Sequence, residues 1–327
     1  MYFVEYKYFN VILLLFLISM NLSSCVKSSN SESGKTNQSE SETANPKTAK
    51  NVDITPCIMK FSDLVETGKT LSGTGSGVKK VYQSIKSHTD YYLVKENSWS
   101  EAYASTVYTF LIGNNSQKAC FIEDGNKIHT AIKIEESFQE SFKYFKPIYL
   151  PTKHLTTPLL SPGSGLGKII VASILLGERD LKGLASSNSN LGVINFEGKK
   201  IFFKIDNQES FNFNSAPYKI YLDLNELKNP KESMPFLVHL NLEKFVTPGH
   251  LQEIKEAAEQ ITKIQTHELE KILDFCEERL KKLTAYPNTF PFDNFGTNGV
   301  FSVGTAPTTY KQAIMLRFNQ LKTIIDK

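Results

Sequence analysis

The chain has 327 residues, of which 40% are hydrophobic and 22% are charged, and its formal net charge is +3. This length and composition fit one large domain or one two-lobed domain, and the near-neutral charge gives no indication of a nucleic-acid or acidic partner. The six histidines form no pair at metal-ligand spacing, and no Gly-x-Ser-x-Gly elbow occurs. The sequence therefore gives no support to a metallohydrolase or a serine hydrolase.

The first residues have the order of a secretory leader. Lys7 precedes an apolar run over residues 11–18, which is too short to span a bilayer as a helix, and small residues then lead to Cys25. This order resembles the signal of bacterial lipoproteins. The resemblance implies a signal peptide over residues 1–25, lipidation of Cys25, and export to the bacterial cell envelope or surface with a membrane anchor. An uncleaved signal anchor is the alternative.

Residues 26–53 are predicted to be a disordered tether. They are mostly Ser, Thr, Asn, Glu and Lys, and such a segment buries too little apolar surface to offset the entropy of ordering it. Three cysteines follow at wide spacing, Cys57, Cys120 and Cys276, and they predict no metal site. An exported protein could join two of them, but their odd number favours free, buried thiols.

The predicted folded part begins with a glycine-rich loop. Gly73, Gly75 and Gly77 alternate with small polar residues before a strand-forming segment at residues 78–82. A backbone of this kind can approach a phosphate and direct its N–H groups towards it, so the loop could cover a nucleotide. A flexible turn is the alternative, because neither a Walker loop nor a dinucleotide fingerprint fits. A further predicted strand then ends in Lys95 and Glu96.

Apolar residues at helical spacing predict an amphipathic helix over residues 98–112, with Ser98 as its N-cap. Glu101 lies three residues after Ser98, which is the spacing of a capping box. A hairpin over residues 118–134, with its turn at Gly125, is predicted to complete an N-terminal antiparallel sheet. A hinge between lobes follows at residues 134–137.

The second half of the chain is predicted to be mainly helical. Its predicted helices cover residues 139–145, a fully buried segment at 168–176, a long period at 251–283, and 310–325. A β-rich first half and an α-rich second half predict an α+β, bilobal fold.

A β-hairpin interrupts this helical half. Residues 191–196 and 200–205 form strand-like runs joined by a Glu197-Gly198 turn. Because a hairpin returns the chain to its starting point, Asn190 and Asp206 should lie side by side. An amide oxygen beside a carboxylate suits Mg²⁺, and Asp180 could face the same point. A base near a metal is the layout of phosphoryl transfer.

The order of Asp180, Asn190, hairpin and Asp206 resembles the protein-kinase-like superfamily. The fragments GERDLKG, NLGVI and KID look most like the atypical branch of HipA-type kinases, phosphoinositide kinases and related bacterial effector kinases. Two departures occur. The family's Asn usually follows its catalytic Asp by five residues, where this chain has Ala185, so we interpret LASSN as an insertion. Asn207 and the residue after it also stand where the protein-kinase pattern has Phe-Gly.

The resemblance implies ATP and Mg²⁺ as cofactors. It implies that the loop with Gly73, Gly75 and Gly77 and the strand lysine Lys95 hold the ATP phosphates. In these families a glutamate on the following helix orients that lysine, a role that Glu101 could fill, although its spacing from Ser98 favours the capping box.

The same resemblance assigns roles around the hairpin. Asn190 and Asp206 are expected to bind Mg²⁺, and Asp180 is expected to orient the acceptor hydroxyl. Lys182 could neutralise the transferring phosphoryl group, with an ordinary loop charge as the alternative.

These observations predict a kinase-like N-terminal lobe over residues 54–136 and a C-terminal lobe over residues 137–327. The expected function is ATP-dependent phosphoryl transfer to a protein or lipid acceptor by a membrane-tethered protein. The alternative is a surface-exposed lipoprotein or pseudokinase that binds a partner without catalysis.

Overall fold

The computed structural model describes residues 56–72, 78–96, 98–140, 164–178, 180–181, 190–211, 213, 222–240, 242–243, 246–282 and 307–327. Cys25, the glycine-rich loop with Gly73, Gly75 and Gly77, and Lys182 lie outside these residues. Within the described ranges, none of the helices has the length and apolar character that a membrane span requires.

A six-stranded sheet forms the N-terminal part. Its strands are β1 (Ile58–Met59), β2 (Leu64–Ser72), β3 (Val78–Ser84), β4 (Tyr91–Lys95), β5 (Ala119–Asp124) and β6 (Lys127–Lys133). The strand order is β1-β5-β6-β4-β3-β2, with β1 and β5 parallel and the other neighbours antiparallel. The structure thus confirms the predicted N-terminal antiparallel sheet. Gly125 has a φ of 55° in the tight turn between β5 and β6, a conformation that glycine adopts without steric cost.

Helix α1 (Trp99–Ile112) joins β4 to the rest of the sheet. We predicted an amphipathic helix, but its residues from Glu101 to Tyr108 are all buried, as are Leu111 and Ile112. The prediction of a solvated face is wrong because α1 is enclosed on both sides. The core that contains Tyr103 and Tyr108 includes residues of the sheet and of the C-terminal helices.

Five further helices make up most of the C-terminal part: α2 (Leu166–Leu175), α3 (Pro235–His239), α4 (Pro248–Thr262), α5 (Thr266–Leu280) and α6 (Tyr310–Ile325). The predicted buried helix is confirmed, because every residue of α2 except Lys168 is buried. The single long period at 251–283 instead forms two helices, since Gln265 has an extended backbone at the start of α5. A β-rich N-terminal part and a helical C-terminal part confirm the predicted α+β, bilobal fold.

A second sheet carries the predicted hairpin. It consists of β7 (Gln139–Glu140), β8 (Leu191–Phe196) and β9 (Lys199–Lys204), all antiparallel. Glu197 and Gly198 have φ values of 48° and 75°, which is the pattern of a type I′ turn. The hairpin is thus confirmed. The helix predicted to begin at Gln139 is wrong at that end, because its first two residues pair with β8.

The cysteines differ from the prediction. Cys57 and Cys120 form a disulfide across a sequence separation of 63, whereas Cys276 is buried as a free thiol. The bridge forms because β1 lies beside β5 and the Phe121 N–H donates to the Cys57 carbonyl at 3.0 Å. The expectation of free thiols is therefore wrong for Cys57 and Cys120, since sequence spacing did not reveal that pairing of strands.

Candidate active site

Lys95 is the point at which three parts of the molecule meet. It is the last residue of β4, where it pairs with Thr130 of β6. Its Nζ lies 2.7 Å from Glu101 Oε2 on α1 and 3.1 Å from Asp206 Oδ1 after β9. One ammonium group therefore connects the N-terminal sheet, helix α1 and the end of the hairpin.

The charged groups of this cluster shift one another's pKa values. Burial alone would lower the pKa of Lys95, but the carboxylates of Glu101 and Asp206 outweigh it, and the pKa is raised. Burial alone would raise the pKa of Asp206, but the nearby ammonium groups of Lys95, Lys204 and Lys79 lower it. Lys95 is therefore protonated and Asp206 is ionised at neutral pH. Burial of Glu101 dominates over Lys95 and raises its pKa.

The structure corrects the interpretation of Glu101 as part of a capping box with Ser98. Within the part of the chain that the structure describes, Ser98 makes no side-chain capping hydrogen bond to α1. Ser98 Oγ instead donates to Glu101 Oε2 at 3.5 Å, and Glu101 is 1% exposed. A capping box would turn this carboxylate back towards the backbone at the start of the helix. The carboxylate instead faces Lys95, so the alternative of an ion pair is the one that the structure contains.

The segment after β9 is fixed to helix α1. Asp206 has a left-handed backbone with a φ of 51°, and its N–H donates to Gln117 Oε1 at 3.3 Å. Asn207 is fully buried, and its Nδ2 donates to Ser105 Oγ of α1 at 2.9 Å. Asn207 occupies the position at which the protein-kinase pattern has a phenylalanine. Sequence analysis missed Gln117 and Ser105, because neither belongs to a motif.

Asp180 and Asn190 also lie together. Asn190 Nδ2 donates to the Asp180 carbonyl oxygen at 2.7 Å and to Asp180 Oδ2 at 3.3 Å. The amide nitrogen is thus used on Asp180, and the amide oxygen is the atom that can ligate a cation. This contact spans ten residues of sequence, and the insertion between the two stays a prediction.

Asn190, which contacts Asp180, lies next to the segment that carries Asp206. Asn190 immediately precedes β8, and its carbonyl accepts from the Ile205 N–H at 2.8 Å. The same pairing aligns Leu191 with Lys204, two residues before Asp206. The hairpin therefore brings Asn190 to the start of the segment that carries Asp206, as the sequence predicted.

Two charged residues that sequence analysis missed lie behind this site. Glu178 Oε2 and Lys204 Nζ are 3.1 Å apart, and both side chains are completely buried. Lys204 follows the apolar run Ile201–Phe203 at the end of β9 and precedes Asp206 by two residues. Its place directly after a buried apolar run was the available signal, since a buried lysine needs a partner.

A cleft of about 450 Å³ opens in front of Lys95 and Asp206. Its lining also includes Lys79 and Tyr82 of β3 and Phe61, which precedes β2. Strands β2 and β3 flank the glycine-rich loop, whose residues 73–77 lie outside the described part of the chain. The cleft thus combines cationic and aromatic groups beside a carboxylate.

The donor set fits Mg²⁺. Mg²⁺ is usually bound by one or two carboxylates together with substrate phosphates and water, and Asp206 with the Asn190 amide oxygen supplies such oxygen ligands. Among the described residues, no group of three or more His, Cys, Asp or Glu side chains is arranged to hold a metal ion by itself. Asp206 and the Asn190 amide are oxygen donors of the kind that Mg²⁺ takes.

Comparison with known proteins finds similarity among solved structures. No family model matches the chain, and no curated protein matches its sequence. The crystal structure of a proinflammatory kinase from Helicobacter pylori, CtkA, is similar with a TM-score of 0.43 and 15% sequence identity. The match covers 82% of this chain and 96% of that chain. At this identity and TM-score the likeness implies no shared activity.

Proposed function

We propose that this chain is an ATP- and Mg²⁺-dependent phosphotransferase with a kinase-like fold. One observation carries the proposal: Lys95 lies between a buried glutamate on α1 and the aspartate that follows the hairpin, at 2.7 Å and 3.1 Å. A lysine oriented by a helix glutamate beside a metal-binding aspartate is the arrangement that phosphoryl transfer requires in kinases.

The proposed division of work follows from the contacts. Lys95 donates to phosphate oxygens, and Asp206 with the Asn190 amide oxygen holds Mg²⁺. Bound Mg²⁺ supplies positive charge that offsets the charge of the phosphates. Asp180, held by the Asn190 amide nitrogen, orients the acceptor hydroxyl. Lys182 and the loop with Gly73, Gly75 and Gly77 complete the phosphate contacts in this proposal.

The test uses the full chain purified in a mild detergent. Calorimetric titration with ATP should show binding that depends on Mg²⁺, and Asp206→Ala should remove that dependence because Asn190 alone is a neutral ligand. Asp180→Ala should keep ATP binding but lower the transfer of radiolabelled phosphate by about 100-fold or more, the range of lost acid–base groups. Lys311→Met, which alters an ion pair on α6, serves as control.

The transfer assay has two arms with different acceptors. One arm contains a mixture of proteins, and the other contains vesicles with phosphatidylinositol. Binding with transfer in either arm supports a kinase, and binding without transfer supports a pseudokinase. Absence of ATP binding in the parent chain contradicts the proposal and favours the partner-binding lipoprotein. The disulfide favours that second candidate, because oxidising compartments outside the cytoplasm normally contain little ATP.

We also propose that Cys25 is lipidated and tethers the protein to a membrane. The leader motif supports this, and the Cys57–Cys120 disulfide agrees with folding outside the cytoplasm. Cys25→Ala should remain unprocessed or become soluble and should lose metabolic palmitate label. A Cys25→Ala protein that fractionates and labels like the parent would contradict the anchor.

A further inference from the structure

The buried ion pair between Glu178 and Lys204 requires an explanation beyond stability. Both side chains are 0% exposed, and their charged atoms are 3.1 Å apart. Removing two charges from water is costly, and replacing such a pair with apolar residues of similar volume is often neutral or stabilising. A fully buried pair next to a candidate site is therefore better explained by what it positions than by the stability that it contributes.

Further hydrogen bonds connect the pair to two functional segments, the one that carries Asp180 and the one that carries Asp206. Glu178 Oε1 accepts from the backbone N–H of Asp180 at 2.7 Å. Lys204 Nζ donates to the carbonyl oxygens of Ile205 at 2.9 Å and Asp206 at 3.1 Å. A continuous path of short polar contacts therefore runs from the backbone of the proposed catalytic aspartate to the backbone of the proposed metal aspartate.

The surroundings of the pair restrict its movement. Ser210 Oγ donates to Glu178 Oε2 at 2.8 Å, so the chain beyond Asp206 is held by the same carboxylate. Lys204 Nζ lies 5.7 Å from the centre of the Tyr108 ring, and the Tyr108 hydroxyl donates to Ser173 Oγ at 3.1 Å. Helices α1 and α2 thus enclose the pair and exclude water from it, which strengthens its electrostatic contacts.

The backbone conformation of Asp206 is a second, independent reason to expect contacts that fix its position. Its φ of 51° lies in the left-handed region, which a residue with a side chain adopts at a cost. Such a conformation persists only where the surrounding structure fixes it. Lys204 fixes the Asp206 carbonyl from one side, and Gln117 fixes the Asp206 N–H from the other.

We propose that Glu178 and Lys204 are a positioning pair, which sets the distance between the Asp180 carboxylate and the metal-binding Asp206. This inference rests on the proposed function, because it assigns a purpose to the pair in phosphoryl transfer. Neither residue contacts nucleotide or acceptor in this scheme. Both act through the backbones that they hold.

The test removes both charges together, so that neither remains buried without a partner. The full chain with Glu178→Gln and Lys204→Met is compared with the parent and with a control that carries Asp274→Asn and Lys311→Met, an ion pair of 2.6 Å between α5 and α6. Three quantities are measured: thermal unfolding, hydrogen exchange of segments 176–181 and 204–211, and phosphate transfer from ATP as a function of Mg²⁺ concentration.

We expect the double variant to unfold near the temperature of the parent but to exchange faster in both segments. Its kcat should fall by about 100-fold, the effect of displacing reacting groups by about 1 Å, and half-saturation should need more Mg²⁺. The control variant should show none of these changes. If the double variant does not fold, Glu178→Asp is used instead, because it keeps both charges and shortens the acidic side chain by one methylene group. It should show the same faster exchange and lower kcat.

Two outcomes overturn the inference. One is a folded double variant with the exchange and the kcat of the parent, and the other is faster exchange in only one of the two segments. Failure of the proposed function gives a different result: the parent neither binds Mg²⁺ with ATP nor transfers phosphate. In that case hydrogen exchange still decides whether the pair couples the two segments.

Discussion

At the scale of single residues, the balance of charge around Lys95 decides the state of the site. Two carboxylates face one ammonium group in a partly closed cleft. Glu101 is almost completely buried, whereas the Asp206 side chain is 41% exposed. Water therefore screens the contact with Asp206 more than the contact with Glu101. In the proposed function, Asp206 is therefore the carboxylate that would exchange its ammonium partner for a metal ion at lower cost.

The first prediction concerns Lys95→Met. Removing Lys95 leaves Glu101 buried without this partner, so the free energy of unfolding should fall by up to about 3 kcal/mol at pH 7. Because the folded pKa of Lys95 is raised above 10.5, its contribution is fully present below that pH and is lost only as pH rises through the higher folded value. Urea unfolding of parent and variant at pH 7, 8.5 and 10 should therefore show that the parent keeps its advantage in stability across this range.

The matched control is Lys80→Met, since Lys80 pairs with Glu66 at the exposed surface of β3. This variant should unfold at nearly the urea concentration of the parent. The prediction is contradicted if the difference in stability between the parent and Lys95→Met disappears between pH 8 and pH 9. The ion pairs would then not keep Lys95 in its charged form.

Residues joined through sequence order were predictable, and residues joined only through packing were not. Asn190 and Asp206 could be placed together because a hairpin necessarily brings its ends together. Glu178 and Lys204 meet through the packing of α2 against β9, which no local pattern encodes. The capping box at Ser98 failed for a related reason, because a local rule competed with a tertiary ion pair and the ion pair prevailed.

At the scale of elements, the close approach of α2 and α4 organises the C-terminal part. Gly167 lies where a Cβ atom would come within 2.5 Å of the Glu253 backbone of α4. The Glu253 carboxylate also accepts from the N–H groups of Gly165 and Gly167 at the start of α2. One glutamate thus satisfies backbone donors of the neighbouring helix, which a helix otherwise leaves unpaired at its N-terminus.

The second prediction is that Gly167→Ala separates α2 from α4. The added methyl group meets backbone atoms, which cannot rotate away, so the free energy of unfolding should fall by about 1–3 kcal/mol. Urea unfolding measures this change. Gly249→Ala is the control within α4, because the nearest atom to its Cβ would be Thr247 Oγ1 at 3.6 Å. Equal stability of the two variants would contradict the close packing.

Elements with a strong local pattern were predicted well. The final helix has the predicted bounds, and the β8–β9 hairpin has the predicted turn. The break between α4 and α5 was missed because their apolar residues keep one helical period across residues 263–265. Strand β7 was missed because two residues carry too little pattern, and its pairing with β8 depends on distant sequence.

At the scale of the whole molecule, one core joins the two lobes. Tyr103 of α1 belongs to the same buried cluster as Ile170 of α2, Leu273 of α5 and Phe318 of α6. A smaller cluster within the sheet contains Cys120, Met59 and Tyr92. Since α1 is part of the large core, a movement of this helix would require the repacking of both lobes.

The third prediction concerns the disulfide. A bridge across a sequence separation of 63 restricts the unfolded chain, so its loss should lower the free energy of unfolding by up to about 4 kcal/mol. Reductant should destabilise the parent in urea but leave the variant with Cys57→Ser and Cys120→Ser unchanged. Cys276 should resist alkylation until unfolding, because burial raises the pKa of its thiol. An equal response of parent and variant to reductant would contradict the bridge.

The same bridge determines how a pulling force would travel through the protein. Tension applied before Cys57 passes through the sulfur atoms into β5, an interior strand, and does not peel the two-residue strand β1 from the sheet. The chain between the cysteines becomes a closed ring that contains Lys95 and Glu101. At about 3.4 Å per residue, roughly 200 Å of extended length stays within that ring. While the bond is intact, the segment that bears Lys95 and Glu101 carries no load along the chain.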